Sequence, residues 1–223
     1  MSELSVCSKL KELASKAEEV ERELLTFYGW QPFTLYEPYG RIAQIVTELA
    51  LSKSNELRVL GEKLSAVKQL LARIVFYSEK AWHVCSKLTV LPSEVMLDIK
   101  CTDDGKLATG INDAISTLDD VLSRLENAHE KCIHYVDESK WESETLLGVL
   151  EDLLNNSVAL KTPFHSDIQD LFDWIVLNFA DAVYLLERVG KVYTMFKEEL
   201  EAIRSELEKL IKPVKEEKKE GGK

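Results

Sequence analysis

The chain has 223 residues, enough for one or two compact units with a real core. Its formal net charge of −11 argues against binding nucleic acid or an anionic lipid surface through bulk electrostatics. No apolar run reaches the ~20 residues that span a bilayer, and Met1-Ser2-Glu3-Leu4 lacks the basic and apolar regions of a signal peptide, so a cytoplasmic protein without direct membrane insertion is expected.

Residues 2–28 predict a first helix, with Leu4, Cys7, Leu10, Ala14, Ala17, Val20, Leu24 and Phe27 at steps of three and four. The pattern breaks at Gly29. The aromatic stretch 30–40 holds Pro32 and Pro38, which speak against a regular helix, and reads as a loop packed over the end of a bundle, with a ligand or partner site as the alternative. A short helix follows over 41–51. The polar run Ser52-Lys53-Ser54-Asn55 reads as a cap, and a long helix over 56–89 carries Leu60, Leu64, Val67, Leu71, Ile74, Ala81, Cys85 and Leu88, with Pro92 as its stop.

Residues 90–109 form the main connection. Asp103-Asp104-Gly105 is a turn signal, and Val95, Leu97 and Ile99 before it with Leu107 after it suggest a small hairpin. A helix over 110–138 comes next. Ser139-Lys140-Trp141-Glu142 fits a capping box, which would start a separate helix over 140–155.

The last helix spans 166–212, about 45 residues and on the order of 70 Å long. Ser166 and Gln169 offer a capping box at its start, and Pro213 stops it. Ile168, Phe172, Ile175, Phe179, Val183, Leu186, Val189, Tyr193, Phe196, Leu200, Ile203, Leu207 and Leu210 form its stripe. A helix of this length must be flanked by others, and its distal part from Met195 to Ile211 is expected to outrun them and offer a homodimer seam. Residues 213–223 read as a disordered charged tail. These elements predict an all-α, elongated antiparallel helical bundle over 1–212. The helix rhythm repeats in the halves 1–89 and 110–212.

The chemistry is sparse. Cys7, Cys85, Cys101 and Cys132 have no Cys-x-x-Cys spacing and read as unpaired thiols or small hydrophobes, with disulfides the alternative in a hyperthermophile. Glu126 and His129 form one Glu-x-x-His pair, but a di-metal oxidase of the ferritin type needs two, and no second pair exists. His83 with Glu79 and His134 with Glu130 have the spacing of ordinary helix-face pairs. No phosphate-binding glycine loop or nucleophile motif is present, so neither an enzyme nor a cofactor is expected.

The second half carries an acidic segment from Asp137-Glu138 through Glu142-Ser143-Glu144, a Leu-rich stretch from Thr145 to Leu154, and Asp167-Ile168-Gln169-Asp170-Leu171. Phe179-Ala180-Asp181-Ala182 and Leu186-Glu187-Arg188-Val189 follow. Over about 133–195 this order resembles the PhoU-like family, especially the relatives that accompany Pit-type phosphate transporters. The resemblance implies two three-helix bundles and a non-enzymatic regulatory or accessory role, exercised by docking on a membrane phosphate transporter or sensor. It also points to Glu142, Glu144, Asp181 and Glu187 as the positions for metal. The chain departs from the family's metal pattern of carboxylates four residues apart: Leu177 stands four before Asp181, and Lys191 four after Glu187. The alternative function is that of a helical scaffold that dimerises or binds other helices.

Overall fold

The computed structural model describes residues 3–25 and 35–211. The fold is all-α. Its helices are α1 (Glu3–Leu25), α2 (Tyr36–Ala50), α3 (Asn55–Cys85), α4 (Lys87–Asp98), α5 (Ile111–Leu154) and α6 (His165–Ile211), with a 3-10 turn at Ala159–Lys161. Residues 30–34 of the aromatic stretch and the tail 213–223 lie outside the described residues.

The described residues fall into two compact units that cut across the halves 1–89 and 110–212. One comprises 3–25, 84–130 and 188–211, the other 35–83 and 131–187. Both α5 and α6 contribute to each.

In the first unit α1 packs on α4. Lys9 pairs with Glu206 and Lys16 with Glu199, so α1 and the distal part of α6 run antiparallel. Arg204 pairs with Asp119, which places α5 along the same stretch of α6. Leu10, Leu13, Leu88, Val95, Leu118, Leu125, Phe196, Leu200 and Leu207 are buried. The distal part of α6 therefore does not outrun its partners, because α1 and α5 cover its seam. Cys7 on α1 is bonded to Cys101 just beyond α4, with a Cα–Cα distance of 6.0 Å. Cys85 and Cys132 are disulfide-bonded as well, and no described cysteine is free. Reading the cysteines as unpaired thiols was wrong. The packing of α1 on α4 brings residues 94 apart in sequence within bonding reach, which no local spacing could reveal.

The hairpin is smaller than its flanks suggested. Val95 and Leu97 belong to α4, and a single bridge joins Cys101 to Leu107. Gly105 supplies the turn with a φ of 78°, and its N–H donates to the Thr102 carbonyl at 2.9 Å. Pro92 lies inside α4 instead of ending the long helix, and the break comes at Ser86.

In the second unit α2, α3, the second part of α5 and the first part of α6 surround one apolar core. It contains Ile45, Leu64, Leu71, Ile74, Leu146, Leu150, Ile168 and Ile175. Gly61 of α3 lies against Leu49 of α2, where an added Cβ would sit 3.0 Å from the Leu49 Cβ. At the other end Tyr36 hydrogen-bonds Glu79, so α2 and α3 form an antiparallel pair. Pro38 falls in the first turn of α2, where a backbone N–H has no intrahelical partner to lose, and the helix begins earlier than 41. Ser54 accepts from the Leu57 N–H at 3.4 Å and caps α3, as its sequence suggested. Asn156 takes the N–H groups of Val158 and Ala159 at 2.9 and 3.2 Å and shapes the link into α6.

Neither proposed capping box forms. Ser166 lies inside α6 and donates to the Pro163 carbonyl at 3.4 Å, while Gln169 donates to Asp173. Helix α5 runs unbroken through Ser139, because both members of that box are held by α3 instead.

Candidate functional site

Two features of the second unit stand out: a buried polar layer and an apolar outer face on α6. The polar layer follows directly from the seams. Along α3 the inward positions run Leu71, Ile74, Ser78, Ala81, and along α5 they run Val136, Ser139, Ser143, Leu146. On α6 they run Leu171, Ile175, Asn178, Ala182. Each stripe thus carries polar residues at one level, with apolar residues on either side.

The Ser78 and Ser139 hydroxyls lie 3.0 Å apart. Ser143 donates to the Ser139 carbonyl at 2.8 Å and accepts from the Asn178 amide at 3.0 Å. Beside them Glu142, only 3% exposed, is ion-paired with the Arg73 guanidinium at 3.2 Å. Glu142 Oε2 and Asn178 Oδ1 meet no donor from the protein. The layer keys the helices to one another. Sliding α5 one turn along α3 would strand the Glu142 carboxylate among Ile74 and its apolar neighbours, which is costly for an unpaired charge.

The outer face of α6 has the opposite character. From Leu171 to Leu186 the helix is apolar nearly all round. The inner seam takes Leu171, Ile175, Asn178, Ala182 and Leu185. Val183, expected on the buried stripe, is 37% exposed; Leu177 is 61% exposed and Tyr184 49%. A helix with apolar residues on every side ordinarily has neighbours on every side. Asp181 is half-buried on this face, and burial raises its carboxyl above the usual range.

At the start of the face, α2 and α6 bound a cleft of about 590 Å³. Glu37, Arg41, Asp167, Asp170 and Trp174 line it. Arg41 grips Asp167 with two nitrogens at 2.8 and 3.3 Å, so that carboxylate is neutralised.

The four carboxylates nominated for metal are not gathered. Glu142 is buried on Arg73, Glu144 and Glu187 are exposed, and Asp181 lies on the outer face. No group of three or more His, Cys, Asp or Glu able to hold a metal ion occurs among the described residues. In the first unit His129 stacks on Tyr193 with ring centroids 3.9 Å apart, and burial pushes its imidazole below the ordinary range. Its Nε2 meets no partner. His134 lies 4.0 Å from Glu138, the carboxylate one turn after it, not Glu130 before it. No described helix is long and apolar enough to cross a membrane. No protein-family model and no curated protein matches the chain.

Arg73, Ser78 and Asn178 were not foreseen as site residues. Their signal was in the stripes: Ser78 fills the gap between Ile74 and Ala81, and Asn178 sits midway between Ile175 and Ala182. Polar residues at inward positions of an apolar stripe must find partners there.

Proposed function

We propose that this chain is a non-enzymatic accessory protein of the PhoU-like kind, which acts by docking the outer face of α6 on a protein partner. The observation that carries the reading is the exposure of Trp174, Val176, Leu177, Val183 and Tyr184 on one helix. Clustered exposed apolar side chains mark interaction sites, whereas scattered single ones do not. The resemblance over 133–195 supplies the partner, a phosphate transporter or sensor met from the cytosolic side of its membrane. A cytosolic protein with bonded cysteines belongs to an organism whose interior tolerates disulfides, as hyperthermophiles do.

The test is purification from native membranes with wild-type protein and with Leu177→Glu. A transporter recovered with the wild type and lost with the variant supports the reading. Recovery of soluble partners alone, or of the same proteins with both baits, argues against it. Sedimentation of the purified protein separates the scaffold alternative, since a dimer lost in Leu177→Glu would give the face to a second copy.

A further inference from the structure

We infer that the partner seated on α6 is a basic amphipathic helix, which lays apolar side chains on Trp174, Leu177 and Tyr184 and places Lys or Arg opposite Asp170 and Asp181. The inference rests on the reading of this face as a docking surface and goes on to the chemistry of what docks.

Asp167, Asp170, Trp174, Leu177, Asp181 and Tyr184 are separated by steps of three, four, three, four and three. That spacing puts them on one line along the helix, the seam along which a second helix packs. The seam carries both acids and large apolar groups. Arg41 already neutralises Asp167. Asp170, Asp181 and the neighbouring Glu37 have no ion-pair partner among the described residues. A docking helix would withdraw water from Asp181, which lies between Leu177 and Tyr184 and is already half-buried. A carboxylate that loses its water needs a cation. Trp174 shares the cleft with Glu37 and Asp170, so an ammonium or guanidinium entering it meets carboxylates and an aromatic ring together.

Other occupants fit the charges poorly. A second copy packed parallel along the seam sets Asp181 on Asp181. Packed antiparallel with Trp174 over Tyr184, it sets Asp181 on Leu177 twice. Neither arrangement brings a cation to Asp181, although the antiparallel one sets Arg188 opposite Asp170. An anionic bilayer is repelled by a face carrying Glu37, Asp170, Asp173 and Asp181 on a chain of net charge −11.

The test is a selection from a displayed library of helical peptides about five turns long, with random residues on one face. Peptides are selected on the full-length protein and counter-selected on Leu177→Glu. The enriched sequences are expected to be cationic, with apolar residues at steps of three and four and Lys or Arg beside them. Asp181→Lys should weaken these peptides about tenfold or more and restore binding when the facing Lys of the peptide becomes Glu. Enrichment of neutral or acidic peptides that still require Leu177 would overturn the inference while leaving the docking face intact. Peptides that bind Leu177→Glu equally well, or no enrichment at all, would remove the docking face and the inference together. Binding indifferent to Asp181→Lys would overturn the inference alone.

Discussion

The two units solve the same packing problem with different distributions of polar groups. In the first, Lys9 reaches down to the buried Glu206, Lys16 and Arg204 meet Glu199 and Asp119 nearer the surface, and the rest of the interior is apolar apart from Thr89. A covalent staple between Cys7 and Cys101 closes it. The second puts a Ser, Asn and Glu layer inside and leaves Trp174, Leu177 and Tyr184 outside. Placing polar groups inside and apolar groups outside is unfavourable for a free-standing bundle. The inner layer is satisfied in large part by its own contacts, whereas the outer apolar side chains are left exposed.

The largest effect should come from breaking the staple. Cys7→Ser with Cys101→Ser opens a loop spanning 94 residues. Chain entropy alone assigns such a loop about 4–5 kcal/mol. Calorimetry should show the first unit melting at a lower temperature; an unchanged transition would mean that packing of α1 on α4 already holds the unit closed.

The next largest should come from the inner layer. Arg73→Met leaves Glu142 buried without its cation and should destabilise the protein by about 3 kcal/mol in urea unfolding. Adding Glu142→Leu to that variant should recover most of the loss. If the single variant is as stable as the wild type, the exposed guanidinium contributes nothing and the layer is held by its serines.

A smaller effect concerns His129. Burial lowers its folded-state pKa, so the unfolded chain takes up a proton first as pH falls. Its contribution to stability is complete above the unfolded value of about 6.5 and is lost as pH drops below it. The urea midpoint should therefore fall less between about pH 7.5 and pH 5.5 in His129→Phe, which keeps the stack on Tyr193, than in the wild type. Equal slopes would show that other groups set the acid sensitivity.

The smallest effect sharpens the contrast between inside and outside. Leu177→Ser removes a side chain that is 61% exposed and should change stability by no more than about 0.5 kcal/mol. A loss of about 2 kcal/mol, typical of a core leucine, would mean that the side chain is structural and not reserved for a partner.

Much of the architecture was legible in the chain. The stripe of α3 from Leu60 to Ile74, the turn at Asp103-Asp104-Gly105 and the cap at Ser54 follow from period and local chemistry. Segment α6 shows where that legibility stops. Both Phe172-Phe179-Val183 and Leu171-Asn178-Ala182 keep helical spacing, and a helix apolar on nearly all sides does not say which line faces inward. Most of the expected stripe is buried, but in its middle Asn178 and Ala182 take the innermost places, while Phe172 and Phe179 are only partly buried and Val183 is exposed. The same cause operates at Ser139 and Glu142. Their spacing fits a helix start, but Ser78 and Arg73 hold both side chains from across the unit.

The sequence by itself determined that this protein is helical, where most helices run and where the chain must turn, because period, proline and glycine act within a few residues of themselves. Tertiary structure alone decided which cysteines bond, which of two apolar lines on α6 is hidden, and which carboxylate is buried. Each of those outcomes depends on a partner dozens of residues away, and local pattern carries no record of what lies across the bundle.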